Sequence, residues 1–122
     1  MDRMDYTQAV ATMRVYEKRL LDSVKIERMA DAKSADEVLK ILQETEYSRS
    51  IGSGTRPEEF ETVLTIELNR VYNDIKSKIK DPTIIQLLSL RYDYQNLKTL
   101  LKAEALGKAT NLDLSEMGSV PA

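Results

Sequence analysis

Apolar residues in this chain recur three and four positions apart almost from end to end, and its β-branched residues are scattered rather than gathered into alternating runs. Such spacing lays a stripe along one side of an α-helix; a strand, whose side chains alternate with a period of two, would need the apolar residues every second position. The pattern predicts an all-α fold, an antiparallel helical bundle of about five helices.

The first helix is expected from about Arg3 to Leu21, with Tyr6, Ala9, Val10, Met13, Tyr16, Leu20 and Leu21 on one stripe. Asp22 or Ser23 can cap a short second helix through Val24 to Ala32, in which Val24 or Ile26 and Met29 supply a small apolar face. Ser34-Ala35-Asp36-Glu37 reads as a capping box, Glu37 reaching back to the Ser34 amide. It opens a third helix that carries Val38, Leu39, Ile41 and Leu42 inward, runs out near Tyr47, and gives way to a mobile loop over 48–55.

Pro57 suits a first helical turn, where its missing N–H would have had no partner in any case, and Glu58 and Glu59 suit the positive end of the helix dipole. The fourth helix then buries Phe60, Val63, Leu64, Leu68, Val71, Tyr72, Ile75 and Ile79 and ends at Lys80 among Lys76 and Lys78. Asp81-Pro82 restarts the chain as N-cap and first helical residue, and a fifth helix, roughly 37 Å long at ~1.5 Å per residue, runs to Leu106 before Gly107 offers a left-handed stop. These helices make one unit, residues 1–107; the ending KATNLDLSEMGSVPA, residues 108–122, reads as a ragged tail or the start of a next unit.

Composition removes most chemistry. The 122 residues contain no Cys and no His, which takes away the usual zinc ligands, the thiol nucleophile and the commonest general base together. No phosphate-binding glycine motif is present, and SIGSGTRP, lacking a Lys and a preceding strand, is an interhelical loop. No catalytic residue, metal or cofactor is therefore expected. Acidic and basic residues interleave to a net charge of −2, which argues against nucleic acid as a partner. No apolar run approaches the ~18 residues needed to span a bilayer, and with no Cys and no apolar leader a reducing, cytoplasmic setting is the default.

The informative residues are polar ones on apolar faces. Advancing about 100° per residue along the fifth helix, Arg91, Gln95, Lys98 and Lys102 gather on one wet side, while Asp93 and Asn96 fall on the opposite side with Leu97 and Leu100. In the first helix Glu17 falls between Met13 and Leu20, with Arg14 at the margin of the stripe. A carboxylate in a dry place must be paired, hydrogen-bonded or protonated. The expectation is a structural polar cluster of Arg14, Glu17, Asp93 and Asn96, in which the guanidinium bridges both carboxylates and Asn96 satisfies the remaining lone pairs or a backbone group.

Y-T-Q-A-V-A-T-M-R-V-Y-E-K-R-L-L at the start, E-T-E-Y at the end of the third helix, and above all R-Y-D-Y-Q-N-L-K-T-L-L-K resemble the C subunit of bacterial and archaeal V-type (A-type) ATPases, a relative of the d subunit of the vacuolar enzyme. The resemblance covers about residues 4–107, with D-x-x-N-L-K its most distinctive part and R-x-x-E at Arg14 and Glu17 in the family's place. It implies a funnel-shaped helical body made of repeated units, of which this chain holds the first. It also implies a non-catalytic central-stalk rotor subunit, peripheral on the cytoplasmic face of the membrane, joining the proteolipid ring to the central shaft. The polar cluster is structural on that reading, and surfaces that further units would cover are prone to self-association. The competing expectation is a free-standing helical adaptor that takes another protein's helix in a groove; a reading frame continuing past Ala122 with further R-x-x-E and D-x-x-N units separates the two.

Overall fold

The computed structural model describes residues 3–108 and 112–121, and among these it contains five α-helices and no strand. The all-α expectation holds. The chain divides into two compact units, Met1–Ile79 and Lys80–Ala122.

In the first unit a 3₁₀ turn, Arg3–Tyr6, leads into α1, Thr7–Lys18. This helix stops short of the expected Leu21 because the chain must turn before Asp22. That residue is extended and accepts the Lys25 amide at 2.8 Å, so it caps α2, Ser23–Ala30. Ser34 caps α3, Ala35–Gln43, by accepting the Glu37 amide at 3.2 Å. The return bond differs from expectation: Glu37 takes the Lys33 amide, one residue upstream of Ser34, at 2.9 Å.

The stretch expected as a loose loop is instead tied into the core. A 3₁₀ turn covers Glu46–Ser50, Ile51 is buried, and Leu39, Ile51 and Val63 form the centre of the apolar cluster with Leu42 and Tyr47 against it. Pro57 opens a further 3₁₀ turn, Pro57–Glu59, closed by the Arg56 amide donating to the Glu59 carboxylate at 2.8 Å. From it runs α4, Phe60–Lys78, which packs against α1 and the Glu46–Ser50 turn. It ends two residues before Lys80, where Ile79 turns extended; the Ser77 hydroxyl donates to the Asp74 carbonyl in the last turn at 2.6 Å.

The second unit is α5, Thr83–Ala105, with the tail segment 112–121. Its helix begins one residue later than expected, because Asp81 spends its carboxylate on the Thr83 amide and hydroxyl and leaves Pro82 as the cap. At the other end Gly107 adopts φ 64°, the Gly107 amide reaches the Glu104 carbonyl at 3.0 Å and the Lys108 amide the Ala103 carbonyl at 2.8 Å. Those two bonds are the Schellman closure that a left-handed glycine permits. The tail has no helix among its described residues, and Met117 within it is buried.

Candidate functional site

Asp93 and Asn96 stand one turn apart on α5 and grip the tail. Asn96 is 8% exposed; its Nδ2 donates to the Ser115 carbonyl and its Oδ1 accepts the Ser115 amide, both at 2.8 Å. The half-buried Asp93 carboxylate accepts the Ser119 amide at 3.0 Å, the Ser119 hydroxyl at 2.6 Å and the Val120 amide at 3.0 Å. Those bonds, the Ser119 hydroxyl first, hold its pKa below the usual carboxylate range. Between the two grips Gly118 passes so close that a Cβ there would fall on the Asp93 carboxylate. Together the side chains of D-x-x-N satisfy main-chain groups of a segment about twenty residues downstream that has no secondary structure of its own to satisfy them.

The other two expected residues lie in the first unit. Arg14 and Glu17 do pair, at 3.1 Å along α1, but their side chains are 75% and 62% exposed, so the expectation of a buried pair is corrected. The α1 stripe around Glu17 is less buried than its spacing suggests: Ala9 is buried, while Val10, Met13 and Leu20 are exposed. Each half of the expected cluster thus finds its partners within its own unit.

A polar network that the residue pattern did not single out joins α1 to α4. Glu67, 7% exposed, receives both arms of Arg70, Nε at 3.0 Å and a terminal nitrogen at 2.6 Å, and the Ser50 hydroxyl at 3.4 Å. Arg70 lies 5.7 Å from the centre of the Tyr16 ring, and its guanidinium pKa is pushed further up by the Glu67 carboxylate. The Tyr16 hydroxyl donates to Asp74, which also binds the Lys78 ammonium; Lys78 first and Tyr16 second hold the Asp74 carboxyl below its usual range. Beside this network a cavity of about 330 Å³ opens among Tyr16, Leu20, Tyr47, Leu64, Leu68 and Val71. Glu67 could have been found by the reasoning that flagged Glu17, since it sits one turn from Val63 and one from Val71 in the α4 stripe.

Among the described residues no group of three His, Cys, Asp or Glu side chains is placed to hold a metal ion, and no helix is long and apolar enough to cross a membrane.

Sequence comparison supplies the class. The family model for the ATP synthase (C/AC39) subunit matches residues 9–122, and the chain belongs to that family. It is 33% identical over 110 residues to the C subunit of the V-type sodium ATPase of Enterococcus hirae, covering 90% of this chain and 33% of that protein. It is 24% identical over 129 aligned positions to the C subunit of the A-type ATP synthase of Methanocaldococcus jannaschii, covering 98% of this chain and 32% of that one. The chain therefore spans about a third of the length of these relatives. No solved structure matches it with significance.

Proposed function

We propose that the chain serves as part of a non-catalytic central-stalk subunit of a V-type or A-type ATPase, peripheral on the cytoplasmic side. There it links the membrane proteolipid ring to the central shaft so that rotation couples ATP hydrolysis or synthesis to ion movement. The observation that carries this reading is the family match over nearly the whole chain, with C subunits of both enzyme types among its relatives. Carboxylates committed to helix and tail contacts support a mechanical role.

On this reading Arg14, Glu17, Asp93 and Asn96 are structural: the first two brace α1, the last two fix how the chain leaves α5. The tail following Lys108 is then the start of a next unit, and the D-x-x-N grip sets the angle at which it departs. Copurification of the tagged chain from membranes of its source cell tests the function. Recovery of proteolipid-ring or shaft subunits is expected, while recovery of none of them, with the chain folded, rejects the reading in favour of a free-standing adaptor.

A further inference from the structure

Within the described part of the tail only Met117 is buried: it is 5% exposed, while Glu116, Ser119 and Val120 around it are exposed and Leu112 and Leu114 are half-buried. The segment that carries it has no helix to fix it. Its place is set from both sides instead, upstream by the Asn96 bonds to Ser115 and downstream by the Asp93 bonds to Ser119 and Val120. Locally the Ser115 hydroxyl accepts the Met117 amide at 3.2 Å. A thioether thus supplies the buried apolar part of a contact whose polar part comes from two side chains of α5.

Thioether chemistry gives that placement a consequence. Hydrogen peroxide oxidises methionine in a two-electron step: the sulfur lone pair takes one oxygen, the O–O bond breaks, and the other oxygen leaves as water. The sulfoxide oxygen is a polar acceptor, and burying it without a donor is costly. The amides of Ser115, Met117, Ser119 and Val120, the donors close to it in sequence, already have partners. A segment without secondary structure opens at a fraction of the cost of unfolding the whole chain, so the oxidised side chain leaves with the tail while α5 stays folded.

We propose that Met117 is an oxidation-sensitive latch: converted to its sulfoxide during a transient opening, it keeps the tail off α5 until a methionine sulfoxide reductase returns it to the thioether. Met4 and Met13, 73% and 50% exposed, are oxidised without disturbing a buried contact. The proposal stands independently of the ATPase reading.

Graded hydrogen peroxide on the intact chain, followed by peptide mass mapping and amide exchange, tests it. Met117 is expected to convert more slowly than Met4 and Met13, and Asp93→Ala, by loosening the tail, to bring it nearer their rate. Once Met117 is converted, exchange at the Ser115, Ser119 and Val120 amides is expected to rise on the order of tenfold, the scale of one unmatched buried polar group. Amides of α5 should stay protected, and the reductase should restore the tail. Met4→Leu, Met13→Leu and Met29→Leu combined should leave this response intact, whereas Met117→Leu, a swap close in volume, should remove it. Tail amides still protected after Met117 is converted, conversion as fast as that of Met4, no conversion short of global unfolding, or an equal response in Met117→Leu would each overturn it.

Discussion

Asn96 holds Ser115 by both ends of its main chain, giving a hydrogen to the carbonyl and taking one from the amide, each at 2.8 Å. Only a side-chain amide carries a donor and an acceptor side by side in one plane, so it can stand in for the neighbouring peptide that an unpaired segment lacks. That explains an amide on the buried side of a helix where an apolar residue would pack without any polar cost.

Asn96→Asp keeps the acceptor but turns a carboxylate toward the Ser115 carbonyl, and Asn96→Leu removes both partners. Each is expected to destabilise by about 1 to 3 kcal/mol, the scale of a buried polar group left unmatched. Urea unfolding followed by circular dichroism measures it, and a change within error of zero would contradict the grip.

Gly118→Ala should dislodge the tail, because the added methyl lands on the Asp93 carboxylate. The expected cost is about 1 to 3 kcal/mol, as for other overpacked sites. Shortening the obstructing side chain as well, in Gly118→Ala with Asp93→Ala, should cost less than the two single changes added together. Amide exchange at Ser119 and Val120 reports the local release.

Acid should open the same contact. The Asp93 pKa is lowered in the folded chain, so its contribution is fully present above the unfolded value near ~3.9 and is lost as pH falls through the folded one. Exchange-protected Ser119 and Val120 amides at neutral pH, becoming labile only as the pH falls below the ordinary carboxylate range, are the expected result; Asp93→Asn should remove that pH dependence while leaving the Asn96 bonds in place.

Arg70–Glu67 and Arg14–Glu17 should behave differently. Arg70→Met strands the buried Glu67 and is expected to cost about 2 to 4 kcal/mol, below the full range for deeply buried pairs because Arg70 is itself partly exposed. Arg14→Met breaks a pair in open water and should cost about 1 kcal/mol or less. A reversed order in thermal or urea unfolding would mean that exposure misjudges these sites.

The helices were legible because spacing, caps and the proline and glycine stops all act within a few residues: Asp22, Ser34, Pro57 and Gly107 each sit at or beside a boundary. On the side of α5 expected to face inward, Asn96 is buried and Asp93 half-buried, whereas Leu97 and Leu100 are exposed. The partners of Asp93 and Asn96 were not legible, since Ser115 and Ser119 lie 19 and 26 residues away and have no periodicity to betray them. Arg14 stood out as the natural counter-charge because sequence offers charges before main-chain amides. Residues 109–111, part of the ending read as a ragged tail, lie outside the described residues.

The α5 grip addresses the tail mostly through its peptide groups, so few letters of that segment are fixed by it: Gly118 by space, Ser119 by its hydroxyl, and little at Glu116 or Val120 beyond the backbone itself. A socket that reads backbone behaves like a cassette holder. Different inserts could be spliced after Lys108 and still be seated, provided an apolar residue that fills the buried place of Met117, followed by glycine and serine, arrives at the right distance from Asn96, which makes this joint a natural place to exchange or extend modules.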